Sequence, residues 1–164
     1  MSTSQSNVSC NGGSDGSIDL TVNNGSGSYT YSWDNGSTSE DISSLSAGTY
    51  TVIVTDNNWG CIDTSVIVIT EPAALSVVLQ SSGSATVCSG STVTLSMTTY
   101  ASPANTYQWN DANGPISGAT SSTYVATSTG TYSLTVTTPA GCVVTSSGFA
   151  VTILVPSVPA SLSS

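Results

Sequence analysis

Apolar and polar side chains alternate along most of this chain. In Tyr50-Thr51-Val52-Ile53-Val54, residues 50, 52 and 54 fall on one face; in Thr92-Val93-Thr94-Leu95-Ser96-Met97, Val93, Leu95 and Met97 do the same. A period of two is that of a half-buried strand. The stretch Val66-Ile67-Val68-Ile69 departs from it. Val66 and Val68 are expected to face inward, yet Ile67 and Ile69 make the other face apolar too, so a neighbouring module is expected to cover it. Turn signals separate the predicted strands: Asn11-Gly12-Gly13, Asn24-Gly25, Asp34-Asn35-Gly36, Asp56-Asn57-Asn58-Trp59-Gly60 and Asn113-Gly114-Pro115. No run of 18 apolar residues occurs, so no membrane-spanning helix is predicted. The pattern predicts an all-β protein.

The pattern also repeats. Cys10, Tyr31-Ser32-Trp33, Gly48-Thr49-Tyr50 and Gly60-Cys61 recur in order as Cys88, Tyr107-Gln108-Trp109, Gly130-Thr131-Tyr132 and Gly141-Cys142. Each half has the size of a small sandwich. Pro72, which has no N–H and ends a ladder, marks the join. The expected organisation is therefore one sandwich over 1–72, a second over 73–155 and a Pro/Ser tail over 156–164. Pro72-Ala73-Ala74-Leu75-Ser76 has a counterpart in Pro159-Ala160-Ser161-Leu162-Ser163. The tail of one copy plus the first ten residues of the next would rebuild a linker of nearly the length that separates Pro72 from Cys88. This makes 156–164 a candidate junction between subunits.

Composition narrows the chemistry sharply. The chain has no Lys, Arg or His among its 164 residues, where average usage would give roughly 20 basic side chains. Without imidazole there is no histidine base, no Ser-His or Cys-His nucleophile and no His-ligated metal. Without Lys or Arg, phosphates go unneutralised and nucleic acid is not an expected partner. The net charge of −9 is uneven: Asp15, Asp19, Asp34, Glu40, Asp41, Asp56, Asp63 and Glu71 precede Pro72, and Asp111 alone follows it. A nearly neutral Ser/Thr surface on the second half favours self-association. The first residues, Met1-Ser2-Thr3-Ser4-Gln5, lack the basic end and apolar core of a leader, so a mature chain or a fragment is expected.

Cys10-Asn11-Gly12-Gly13-Ser14-Asp15-Gly16-Ser17-Ile18, Tyr29-Thr30-Tyr31-Ser32-Trp33-Asp34-Asn35-Gly36, Ile42 through Val52, and Val54-Thr55-Asp56 through Gly60-Cys61 together resemble the SprB-type repeat. The likeness spans roughly residues 5–72. Asn23-Asn24-Gly25-Ser26-Gly27-Ser28 stands where that family usually has a Gly-rich, Pro-containing turn. The second half resembles, more loosely, the Ig-like modules found beside such repeats. These repeats occur in tandem in very large surface adhesins of gliding Bacteroidetes. The resemblance implies an extracellular, secreted bacterial β-sandwich used for reach and adhesion, with no catalytic residue.

The four cysteines, an even number in widely spaced pairs, suggest export and disulfides. The expected staples are Cys10–Cys61 and Cys88–Cys142, one per unit, each closing about 50 residues and worth roughly 4 kcal/mol. No CxxC spacing supports a thiolate metal site. Trp33 and Trp109, at equivalent positions, are expected in the two cores with Tyr50 and Tyr132. Trp59, in a turn without counterpart, is a candidate contact for another copy or a ligand, as are Leu154, Val155, Pro156, Val158, Pro159 and Leu162. Asp56-Asn57-Asn58, or Asp15 with Asp19, could ligate Ca²⁺, but turn chemistry with the backbone is the favoured reading. Glu40-Asp41 is rejected as a glycosidase pair because strand neighbours point to opposite faces. No metal or cofactor is expected, and the protein is read as non-enzymatic.

The reading that follows is all-β, with two tandem Ig-like or SprB-like sandwiches forming a head-to-tail filament subunit. A monomeric stretch of a long adhesin array and a carbohydrate-binding module are the alternatives. The expected partners are other copies of the chain and surface glycans, with no insertion into a membrane.

Overall fold

The computed structural model describes residues 1–98 and 104–156. The chain separates into two compact units, Met1–Ala74 and Leu75–Ser164, so the boundary lies two residues beyond Pro72.

In the first unit, β1 (Ser2–Ser6), β2 (Gly16–Thr21) and β4 (Ile42–Leu45) form one antiparallel sheet in the order β1-β2-β4. A second sheet, ordered β3-β5-β6, contains β3 (Tyr29–Trp33), β5 (Gly48–Asp56) and β6 (Ile62–Ile69). Ile18, Leu20, Ile42 and Leu45 from the first sheet meet Trp33, Val52, Val54, Ile67 and Ile69 from the second in one core. Here the sequence expectation for β6 is corrected. Ile67 and Ile69 are 4% and 1% exposed, whereas Val66 and Val68 are 62% and 51% exposed. Register decides this. Directly opposed residues share a face, and the inward Tyr50 and Val52 of β5 lie opposite Ile67 and Ser65. Val66 and Val68 therefore join Ile53 on the outer face.

The second unit follows the same order with one elaboration. One sheet, ordered β12-β9-β7, contains β7 (Leu79–Ser81), β9 (Val93–Met97) and β12 (Thr123–Ala126). The other contains β8 (Thr86–Cys88), β10 (Thr106–Asp111), β11 (Gly114–Pro115), β13 (Gly130–Thr137), β14 (Val143–Thr145) and β15 (Phe149–Leu154). Both β14 and β15 pair with β13, one with each of its halves, and buried Ser146 between them bonds Leu134 through both its backbone N–H and its hydroxyl. β15 also pairs in parallel with β8. A first strand that divides between two sheets and runs parallel to the last is an immunoglobulin-type arrangement.

The paired landmarks occupy matching places. Trp33 and Trp109 are buried, and their indole N–H groups donate to the carbonyls of Ser39 (2.8 Å) and Ser121 (2.9 Å). Tyr50 is half-buried and Tyr132 buried; their hydroxyls donate to carbonyls four residues upstream, Ser46 (3.0 Å) and Ser128 (2.9 Å). Each unit thus carries a tyrosine corner. In the second unit Trp109, Tyr124 and Tyr132 form an aromatic row with centroid spacings of 5.6 and 5.4 Å.

The expected staples are not formed. Cys10 and Cys142 are disulfide-bonded, while Cys61 and Cys88 are exposed free thiols. Strand register explains why neither expected pairing is available. Cys10 lies beside the end of β6: Val8 N–H donates to the Thr70 carbonyl, and the Asn11 amide reaches Glu71 and the Pro72 carbonyl. Cys61 sits at the opposite end of β6, in the β5–β6 turn, where its carbonyl accepts from Asp56 N–H. The length of β6 separates them by roughly 25 Å, whereas a disulfide needs Cα atoms within about 7 Å. In the second unit Cys88 pairs with Leu154 at the end of β15, and Cys142 lies at the other end of β13, its carbonyl accepting from Thr138 N–H. That separation is roughly 25 Å.

Candidate interaction surfaces

The β5–β6 turn is organised by one carboxylate. Asp56 is buried, and its two oxygens accept from Ser26 N–H (2.7 Å), Ser26 Oγ–H (2.7 Å), Asn58 N–H (2.9 Å) and Trp59 N–H (3.0 Å). Three of these four donors are backbone N–H groups, so the carboxylate is engaged in turn chemistry with the main chain. The Ser26 hydroxyl, followed by the backbone N–H groups, holds its pKa down at about 2. Asp15 is likewise lowered, through the Ser9 hydroxyl and then the Ser9 N–H.

The same solution recurs across the acidic half. Asp34 accepts from Thr51 N–H (2.9 Å), Asp41 from Leu20 N–H (3.0 Å) and Glu71 from Gly12 N–H (2.6 Å). With no basic side chain to pair with, carboxylates cap backbone donors instead. Glu40 faces the Tyr31 hydroxyl, and burial followed by this hydrogen bond raises the Tyr31 pKa to about 12. Glu40 and Asp41 thus have separate structural partners. Both precede β4 rather than lying within a strand.

Acid should reveal the Asp56 cap. Its folded pKa is depressed, so its contribution is present above about pH 4, the ordinary carboxylate value, and is lost as pH falls towards 2. The melting temperature of the chain is expected to drop between pH 4 and 2. Asp56→Asn is expected to flatten that slope, and calorimetry across the window checks it. An unchanged slope in the variant would remove Asp56 from the account.

The Asp56 turn leaves Trp59 outside. Its side chain is 67% exposed, and Ile62 beside it is equally so. Together with Met1, Val22, Tyr29, Val54 and Cys61 they line an open cavity of about 360 Å³ at this end of the unit. In the second unit the end of β15 presents Leu154, Val155 and Pro156, with Val155 80% exposed, beside Cys88. Val158, Pro159 and Leu162 lie outside the described residues. Of the predicted contacts, Trp59 belongs to one surface and Leu154, Val155 and Pro156 to another. Sequence reasoning missed Ile62 and the outer stripe of Ile53, Val66 and Val68 because their facing depends on register. It read Asn24-Gly25 only as a turn and missed that Gly25 packs against Asp56 and that Ser26 bonds to it.

Comparison with known proteins gives one family match and several structural likenesses. Residues 2–38, from β1 through the turn after β3, match the family model described as SprB repeat. The motifs at 42–61 lie beyond that match. No curated protein matches the chain. Among solved structures, murine CEACAM1b is 16% identical, covering 90% of this chain and 96% of its own, with a TM-score of 0.45. The three N-terminal domains of the bacteriophage RB49 highly immunogenic outer capsid protein are 16% identical, covering 93% of this chain and 57% of theirs, with a TM-score of 0.49. The BSP domain of a biofilm associated protein is 15% identical, covering 92% and 29%, with a TM-score of 0.30. The family likeness is thus confined to residues 2–38, within the first unit of this all-β chain.

Proposed function

We propose that this chain is a non-catalytic extracellular building block, a tandem pair of sandwiches whose copies join head to tail into a filament. The observation that carries the reading is the placement of exposed apolar side chains at a sheet end of each unit. Trp59 and Ile62 flank an open cavity on the first, and Leu154 and Val155 project from the second. Exposed aromatic and aliphatic side chains around a concavity are the usual core of a protein contact.

Charge favours contact between unlike ends. Eight of the nine carboxylates belong to the first unit, and no Lys, Arg or His offsets them; the Met1 amino group lies 3.8 Å from Asp63 alone among the described carboxylates. Two first-unit ends would bring like charges together, whereas a first-unit end against a nearly neutral second-unit end would not. A contact between unlike surfaces that does not close into a ring propagates as an open polymer. The SprB repeat supports a surface or extracellular setting, because the family implies tandem modules in adhesins.

Electron microscopy and light scattering of the full chain test this. Filaments are expected from the unsubstituted protein, and a dispersed 16.4 kDa species from the Trp59→Ser, Ile62→Ser double variant. A monodisperse 16.4 kDa species from the unsubstituted chain would end the filament reading in favour of a monomeric adhesin segment. One observation favours a carbohydrate-binding role as a second reading: Trp59 stands at the mouth of a cavity that also presents Tyr29 and Asn24. A glycan array showing binding that Trp59→Ala abolishes would support it, and binding at background level would dismiss it.

A further inference from the structure

The cysteines are of two local kinds, and each unit has one of each. Cys10 and Cys88 each open a turn that follows the first-strand segment. Their carbonyls accept from Gly13 N–H (2.9 Å) and Ser91 N–H (3.1 Å), with Gly12 and Gly90 at φ 72° and 87° in the third place. Cys61 and Cys142 each close a hairpin. Each follows a glycine in the left-handed region, Gly60 at φ 68° and Gly141 at φ 83°, and bonds back to the residue five or four before it. The surroundings match as well. Val8 N–H donates to Thr70 just ahead of Cys10, and Ser89 N–H donates to Leu154 just after Cys88.

The disulfide-bonded cysteines, Cys10 and Cys142, are one of the turn kind from the first unit and one of the hairpin kind from the second. What remains is one exposed thiol of each kind: Cys88 of the second unit and Cys61 of the first. Each lies at the end of its unit remote from the bonded cysteine, and each stands within an apolar surface described above. Cys61 lines the cavity with Trp59 and Ile62, and Cys88 pairs with Leu154.

We infer that Cys88 of one copy and Cys61 of the next form a disulfide, so that each junction between copies is covalently locked. This rests on the head-to-tail reading. The chemistry is thiol–disulfide exchange with a small disulfide oxidant. The Cys88 and Cys61 thiols lose two protons and two electrons, the S–S bond between them forms, and the oxidant's S–S bond breaks to give two thiols. In an oxidising compartment such a bond persists.

The test uses the full chain with oxidised glutathione, run on non-reducing denaturing gels. The unsubstituted protein is expected to give a ladder of 16.4 kDa steps that dithiothreitol collapses to one band. Cys61→Ser and Cys88→Ser are each expected to lose the ladder, and their equimolar mixture to stop at a dimer. Peptic fragments are expected to join residue 61 to residue 88; pepsin is chosen because the chain gives trypsin no site. A single variant that dimerises as fast as the mixture would overturn the inference, as would a monomer whose Cys61 and Cys88 are joined within one chain. Filaments seen by microscopy with both thiols free would overturn it while leaving the head-to-tail reading intact. Absence of both ladder and filaments would remove the two together.

Discussion

Trp109→Ala is expected to destabilise the second unit by roughly 3–5 kcal/mol, the range for deleting a fully buried aromatic side chain. Trp109 is completely buried, stacks on Tyr124 and donates to the Ser121 carbonyl, so truncation opens a cavity and strands an acceptor together. Tyr124 then loses its stacking partner on one side, and the row through Tyr132 loses its anchor. A loss of this size is a large part of the stability of a small domain, about 5–15 kcal/mol in all. Urea titration followed by far-ultraviolet circular dichroism measures it. A shift below about 1 kcal/mol would mean that the core tolerates the cavity and that the aromatic row is not its centre.

Gly25→Ala is expected to have the second largest effect, and it acts on the cavity of the first unit that Trp59 and Ile62 line. Gly25 has φ 144°, a conformation L side chains rarely adopt. A Cβ there would lie 2.5 Å from the Tyr29 hydroxyl and 2.8 Å from an Asp56 carboxylate oxygen. Backbone strain alone is worth about 1–3 kcal/mol, and the displaced carboxylate would release the N–H groups that shape the Trp59 turn. Gly27→Ala separates the two causes, because Gly27 also has positive φ, 83°, but open space where its Cβ would go. Gly25→Ala is expected to melt lower than Gly27→Ala and to raise the Asp56 pKa towards the ordinary carboxylate value, read by carbon-13 NMR. Equal melting temperatures for the two variants would show that only backbone strain matters and that the Asp56 cap is not strained by its neighbour.

The two predicted effects also indicate how this chain manages without basic residues. Its carboxylates do not form ion pairs with side chains. They accept from backbone N–H groups: Asp56 and Glu71 from turn residues Asn58 and Gly12, Asp34 and Asp41 from strand residues Thr51 and Leu20. A backbone amide is a weaker partner than a guanidinium, but it is fixed in place, so no long side chain has to be ordered to make the bond. The acidic residues therefore act as structural pins of loops, and the surface they leave is poor in complementary charge. In the proposed filament, contacts between copies would draw on apolar side chains, main-chain hydrogen bonds or covalent links.

Local pattern was enough to determine the all-β character, the repeat and the places of Trp33, Trp109, Tyr50 and Tyr132. These depend on alternation and on turn residues, which act over a few positions and need no knowledge of the partner strand. Register was not contained in that pattern. Val66-Ile67-Val68-Ile69 is apolar on both faces, so alternation could not choose between them, and pairing with β5 turned Ile67 and Ile69 inward. The cysteines show the same limit at longer range. Their spacing suggested one staple per unit, but spacing along a chain says nothing about which end of a sheet a residue reaches. Strands β6 and β13 hold the two cysteines of each unit at opposite ends. Only the assembled sheets, whose length exceeds the span of a disulfide several times over, left Cys61 and Cys88 exposed as thiols.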